Sequence, residues 1–352
     1  MLSSQQLKSF IKSTEEKVLH YRYHKISNDT AARVLQQVVL EKGKLSLGLK
    51  KNANQYAQEV LGSKDYAPWL YVYSLIAGEF KEGWIPDNFY GSQVIHKIQG
   101  DYGKISFLKP LTNHLFQKEL GPDLAYYING QWFGTHFKPL AASEVLRSLF
   151  QNTEKIILKL DQSFQGKGIF VFDKKNSSLN QLEEKGNMVV QSFINQHSFF
   201  DEFVTSSVAT IRLTTVIDTA QKVSLRAAYL RLSRAQDTHV KSSNHIRIPI
   251  HVSSGILAAK GYLPNWNTID KHPDSQVLFI DKQIPKYQEC VHLALAQHQK
   301  MPMVRAIGWD MIIDQHENPI VLEWNGYSND IKFSEATQGP CFKDLGWEKL
   351  RR

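Results

Sequence analysis

Apolar positions recur at helical spacing through the first hundred residues and then change to short alternating runs. "SSQQLKSFIKSTEEKVLHY" places Leu7, Phe10, Ile11, Val18 and Leu19 at spacings of three, four and seven, with Ser3 or Ser4 as a helix cap. "DTAARVLQQVVLEKGKLSLG" repeats the pattern and stops near Gly43, and the more apolar "DYAPWLYVYSLIAGEF" is expected to pack centrally. Pro86 and two glycines in "EGWIPDNFYG" interrupt the helices. From about Ile105 the chain reads as strands. "LAYYINGQWFG" predicts a hairpin turning at Asn129-Gly130. "KIILKL", "GIFVFD", "NMVVQSFI", "ATIRLTTVID" and "VSLRAAYLRLS" follow. "PKYQECVHLALAQHQK" is an amphipathic helix with Tyr287, Val291, Ala294 and Leu295 on one face, and "AIGWDMIIDQHENPIVLEWNG" closes the series as a hairpin. Strands and helices in this order imply an α+β chain on antiparallel sheets, not a doubly wound parallel one. No internal repeat or low-complexity segment is present.

Composition narrows the picture a little. The 352 residues are enough for two or three modest domains, and the apolar and charged fractions are those of a globular protein. No window reaches the roughly 18 apolar residues of a membrane span, and the first twenty residues lack the apolar core of a secretory signal. Cys290 and Cys341 form no CxxC pair, so a disulfide framework or cysteine-built zinc site is not expected, and a reduced, cytoplasmic setting is. The formal charge of +8 favours anionic partners. The basic residues are scattered rather than clustered, which fits phosphorylated small molecules or an acidic polymer, and nucleic acid is not expected.

The last hairpin carries two acids where a buried strand disfavours them. If Ile313 faces Ile320, Asp310 faces Glu323, and Asn325 projects from the same side. Two facing carboxylates and an amide oxygen either hold a cation, Mg²⁺ by donor type, or point to solvent on a half-exposed hairpin.

Upstream, Lys159 precedes "DQSFQGKG", a loop with Gly166 and Gly168 that either folds over phosphates or is an ordinary hairpin loop. It lacks the Walker spacing. Arg212 and Arg231 lie within apolar strands, where a guanidinium is expected to stabilise a transferring phosphate or to form an ion pair with an acid.

Taken in order, Lys159, the loop to Gly168, Arg212, and then Asp310 with Glu323 and Asn325 resemble the ATP-grasp superfamily. The closer resemblance is to its sugar-transfer-associated branch, related to bacterial surface-polysaccharide loci. It covers roughly residues 80–330 and rests on "EGWIPDNFY", "VVQSFINQH", "SSVATIRLTTVID", "HPDSQ" and "RAIGWDMIIDQHENPIVLEWN". The resemblance implies two α+β subdomains gripping ATP, a small one over 105–195 and a large one over 196–352, which follow the mainly helical region over 1–104. It further implies Lys159 on the ATP phosphates, with Ser163, Gln165, Gly166, Lys167 and Gly168 closing over them. Gln191, Ser192, Phe193 and Ile194 correspond to the adenine hinge, Asp310, Glu323 and Asn325 to metal ligands, and Arg212, with Arg231, to phosphate- or intermediate-stabilising positions. Two departures stand out. Asn113 and His114 replace an expected Asp-Lys pair, with Lys109 and Lys118 as nearby substitutes, and Ser163 and Gln165 occupy usual glycine positions. "SSNHIRIPIHVSSGI" stands where the family often has Asn followed by Gly-Gly, and is expected to face the acceptor.

The implied activity is a Mg-ATP-dependent carboxylate–amine ligase working through an acylphosphate. It would amidate a uronic-acid-like sugar, amino acid or peptide in surface polysaccharide synthesis. The alternatives are an ATP-grasp kinase acting on a sugar or polyol hydroxyl, or a basic binding protein whose nucleotide site has decayed. Thirteen scattered histidines lack zincin spacing, and no Ser/His/Asp or Cys/His set is evident.

Overall fold

The computed structural model describes residues 4–117, 120–161, 163, 168–234 and 244–351, with side chains from Val18 onward. Its chain divides into two compact units. The first joins residues up to Lys97 with 265–267 and the segment from Asp330 on; the second holds 98–264 and 268–329.

In the first unit, α1 (Ser4–Lys42) is one helix of 39 residues rather than the two segments that the periodicity suggests. The intervening "HYRYHKISND" has no Pro or Gly to break it. Its cap-like residues serve other elements: Ser27 Oγ accepts Trp69 Nε1–H at 2.9 Å, and Asn28 Nδ2 donates to the Asp65 carbonyl at 3.1 Å. Helix α2 (Leu47–Glu59) begins at the cap Ser46. Helix α3 (Ala67–Ala77) is buried nearly throughout and ends at Gly78 with φ +77°.

"WIPDN" is not a loose breaker but a buried clamp. Trp84 Nε1–H donates to the Glu335 carbonyl at 2.8 Å, and Asn88 Nδ2 donates to the Asp65 carbonyl at 2.8 Å. Glu335, in the helix Lys332–Gln338, is fully buried. Its two oxygens accept the backbone N–H groups of Ile85 at 2.6 Å and Cys341 at 2.7 Å. Burial pushes its carboxyl up to about 8, and those two N–H donors offset only part of the rise.

The second unit contains two antiparallel sheets. Strands β1 (Asp123–Ile128), β2 (Gln131–Gly134), β3 (Lys155–Leu160), β4 (Ile169–Asp173) and β5 (Met188–Ser192) form a sheet of order β2-β1-β5-β3-β4. The β1–β2 turn is the expected one, with Asn129 and Gly130 both at positive φ (51° and 80°). Helix α4 (Ala142–Leu149) covers this sheet through Val145 and Leu149.

The larger sheet has the order β10-β9-β8-β7-β6-β11-β12. Its main strands are β6 (Thr210–Ile217), β7 (Val223–Leu232), β8 (Ile246–Pro249), β11 (Ala306–Ile313) and β12 (Pro319–Asn325), with short β9 (Gly261–Tyr262) and β10 (Thr268–Ile269). Helix α5 (Tyr287–His298) packs on it, burying Tyr287, Cys290, Val291 and Ala294. Alternation along the strands sends Ile211, Leu213, Leu230, Trp309, Met311 and Trp324 into the core. No described helix is long and apolar enough to cross a membrane.

Glu335 gives the first unit a pH signature. Its folded-state pKa lies above the unfolded value, so the native state binds more protons between the two. Stability from this group is therefore present at acid pH and lost as pH rises from the ordinary carboxylate range through about 8. Melting temperatures from pH 5 to 9 should fall across that interval in wild type and less steeply in Glu335→Gln. The Gln amide faces two backbone donors, so the variant should also lose about 1–3 kcal/mol at acid pH.

Candidate functional site

One face of the larger sheet is apolar, and the other carries the chemistry. Register pairs Glu323 with Asp310, Asp310 with Arg212, and Arg212 with Tyr229 across β12, β11, β6 and β7. Arg231 lies two residues beyond Tyr229 and pairs with Arg247 of β8, on the same face.

Asp310 is the centre of that row. Its Oδ1 accepts Arg212 Nε–H at 2.5 Å and Arg231 Nη2–H at 2.5 Å, and its Oδ2 accepts Arg212 Nη2–H at 3.0 Å. Asp310 and Arg212 are each 6% exposed. Burial disfavours both charges, but Arg212 and then Arg231 outweigh it and hold Asp310 well below the usual carboxylate range. The ion-pair role weighed for Arg231 is present, with Asp310 as its acid.

The facing of Asp310 and Glu323 arises through an irregularity the sequence did not disclose. Near the turn the register is Ile313 to Pro319 and Ile312 to Ile320, one residue off the expected pairing. A β-bulge between Asp310 and Met311, with Leu322 as the extra residue on β12, restores Asp310 opposite Glu323. The Leu322 carbonyl accepts Lys159 Nζ–H at 3.0 Å, a contact between the two sheets of this unit. Lys159 is buried, and burial lowers its ammonium below the ordinary lysine value, with Glu323 and Asp123 offsetting only part. Such a group gains from a nearby anion.

Lys109 joins it. Its Nζ lies 3.8 Å from Glu323 Oε1 and donates to the Ser163 carbonyl at 3.4 Å. Asn113 is used structurally: Nδ2 donates to Asp123 Oδ2 at 2.9 Å, and Oδ1 accepts Leu120 N–H at 2.9 Å. Gln191 donates to Asp123 Oδ1 at 2.7 Å. In the run expected to be the hinge, Gln191–Ile194, the backbone N–H groups of Ser192 and Phe193 donate to the carbonyls of Pro122 and Lys155, and Ile194 is buried. Gly168 leaves room for Ser163, whose Oγ donates to the Leu160 carbonyl at 2.7 Å. Gln165, Gly166, Lys167 and Lys118 lie outside the described residues.

Lys109, Asn113, Asp123, Lys159, Gln191 and Glu323 line a cavity of about 20 Å³. That is room for about one water. A groove of about 440 Å³ borders the hinge at Phe193, Ile194 and Gln196.

The sequence profile described as sugar-transfer associated ATP-grasp matches residues 131–344, more than half of the chain. The chain belongs to the sugar-transfer associated ATP-grasp family. No curated protein matches it in sequence. Among solved structures, the chain is similar to biotin carboxylase of Campylobacter jejuni in a complex with ATP, at 13% identity and TM-score 0.44, over 91% of this chain and 67% of that one. It is also similar to the ATP-grasp ligase PsnB bound to a minimal precursor, at 12% identity and TM-score 0.40, over 72% of this chain and 62% of that one. A third is an N5-carboxyaminoimidazole ribonucleotide synthetase bound to ADP, at 9% identity and TM-score 0.36, over 62% of this chain. The chain spans 44% of that enzyme's length.

For an ATP-grasp chain the donors on β11 and β12 are of the right kind for Mg²⁺. Asn325 Nδ2 donates to the Gly308 carbonyl at 3.2 Å, so its oxygen is the atom that would face a metal. Glu323 is a third exposed. Asp310 retains lone pairs beyond its guanidinium contacts. All-oxygen ligands that are few in number suit a cation completing its shell with phosphates and water. The described residues hold no group of three acids, His or Cys that could bind a metal by themselves.

Asp310 and Glu323 should therefore respond differently to neutralisation. Asp310→Asn leaves two buried guanidiniums without their carboxylate and should lose roughly 3–5 kcal/mol. Glu323→Gln removes a partly exposed pair and should lose about 1 kcal/mol or less. Urea unfolding of both variants checks the difference.

Proposed function

We propose that this chain is a Mg-ATP-dependent carboxylate–amine ligase working through an acylphosphate. Family membership supports it, and the observation that carries it is one cavity lined by Lys109, Lys159 and Glu323, with Glu323 paired across the strands to Asp310 and its partner Arg212. Lys109 answers the missing Asp-Lys pair. It reaches the cleft from a position ahead of Asn113, which disfavours the decayed-site reading.

In this reading ATP lies between the two sheets, its adenine at the hinge Gln191–Ile194 and its phosphates toward Lys159, Lys109 and the loop ending at Gly168. Asp310, Glu323 and Asn325 would hold Mg²⁺, which neutralises phosphate charge when bound. Lys159 leaves the Leu322 carbonyl for a phosphate oxygen and regains the counter-charge that burial denies it. An oxygen of the acceptor carboxylate forms a bond to the γ-phosphorus as ADP leaves. Arg212, oriented by Asp310, stabilises charge on the transferring group. An amine then attacks the acyl carbon, phosphate leaves, and the amine loses a proton. The acceptor we propose is a uronic-acid-like sugar or a peptide carboxylate in surface polysaccharide synthesis. The net charge of +8 favours such anionic partners.

Mg-ATP should raise the melting temperature of the wild-type chain, and Glu323→Gln should lose most of the Mg-dependent part. Lys159→Met should lose the nucleotide-dependent rise, and Lys109→Ala should weaken ATP binding about tenfold. Phosphate release requiring both an acid and an amine identifies a ligase. A stable phosphorylated product formed without amine overturns the reading in favour of a kinase.

A further inference from the structure

Asn329 lies four residues past the end of β12, and its surroundings are unusual for a loop residue. It is 2% exposed. Its Oδ1 accepts a long hydrogen bond from Arg212 Nη1 at 3.5 Å. Of the two ends of the amide, only the oxygen can accept from a guanidinium. Its Nδ2 is fully buried and finds no acceptor among the described residues. A buried amide donor left unsatisfied costs roughly 1–3 kcal/mol, and nearly all such groups are paired in folded proteins.

The sequence makes room for this placement. Gly308 lies in the middle of β11, on the same face as Asp310 and paired with Asn325. A Cβ there would fall well inside contact distance of Asn329 Oδ1 and 3.1 Å from Arg212 Nη1. A mid-strand glycine weakens a strand and marks a close approach; here the approaching group is Asn329. A second unsatisfied donor lies on the same face. Arg231 Nε is buried without an acceptor among the described residues, although its Nη2 holds Asp310. The Arg212–Asp310 pair is therefore flanked by two N–H donors that the described residues do not satisfy.

Resting on the ligase reading, we propose that Asn329 contacts the substrate, donating its Nδ2–H to an anionic oxygen of the phosphoryl group transferred at Arg212. Arg212 supplies charge, and Asn329 adds a directional donor held in place by Gly308. A donor desolvated beforehand requires little reorganisation when charge develops, and it acts in the transfer step more than in nucleotide binding.

The test uses the full chain with Mg-ADP, and then Mg-ADP with aluminium fluoride, whose fluorines accept hydrogen bonds at the place of the transferring phosphoryl oxygens. Calorimetry gives the ADP dissociation constant in each condition. Aluminium fluoride should tighten ADP binding in wild type. Asn329→Ala should lose about tenfold of that tightening while Mg-ADP affinity changes by about twofold or less. Asn329→Asp keeps the shape and the acceptor for Arg212, so it guards against simple misfolding, and it should lose at least as much. Full tightening in either variant overturns the proposal, as does an equal loss in both conditions, which is the mark of a merely structural residue. Wild-type protein that binds Mg-ADP without tightening overturns this inference alone. Wild-type protein that binds no Mg-ADP overturns the ligase reading as well.

Discussion

The buried pairing of Asp310 with Arg212 and Arg231 is the interaction around which the second unit is arranged. It ties β11 to β6 and β7, the strands at the middle of the larger sheet. Ionised groups this deep persist only when each is answered by charge and hydrogen bonds, and the requirement fixes strand register. A slip of one residue would carry Trp309, Leu213 and Leu230 to the polar face and bury the charges in their place. The apolar side reinforces the same register: Phe116 packs edge-to-face on Trp324 at 5.3 Å and leans on Trp309 at 5.4 Å. Charge on one side and aromatic packing on the other select one alignment.

That alignment also sets a division of labour among acids that look equivalent in sequence. Asp310 orients guanidiniums, whereas Glu323, at the open end of the row, faces Lys109 and the cleft. The lysines divide as well. Lys159 comes from the small sheet and Lys109 from the segment that precedes it, and both reach the last strand of the large sheet. Asn113 and Gln191 both donate to Asp123, which ties them together. The site is thus assembled from parts of the chain some two hundred residues apart, each too weakly marked to stand alone.

Much of this was legible in the sequence because local rules sufficed. The Asn129-Gly130 turn, the alternation in "TIRLTTVI" and the apolar face of α5 follow from turn chemistry and periodicity, and the structure contains them. The acids of the final hairpin were legible as a facing pair, but through the wrong register, since a bulge adds one residue that no pattern announces. Continuity of α1 was hidden by Ser27 and Asn28, residues typical of caps whose partners lie forty residues away. The clamp of Trp84 and Ile85 on Glu335 joins positions 250 residues apart, beyond any periodicity. Asn329 was missed outright, although Gly308, a glycine amid bulky β-formers, was its visible sign.

The bulge at Leu322 bears on something other than chemistry. β12 is the last strand of its sheet, and an edge strand exposes carbonyls and N–H groups that other chains can pair with. Here Leu120 accepts the Val321 N–H at 2.9 Å, and Lys159 covers the next carbonyl. The same ammonium that is buried between the two sheets of this unit therefore guards a sheet edge with one of its three N–H donors. Two neighbouring backbone groups of this edge are thus answered within the unit, which lowers the tendency of β12 to pair with other chains.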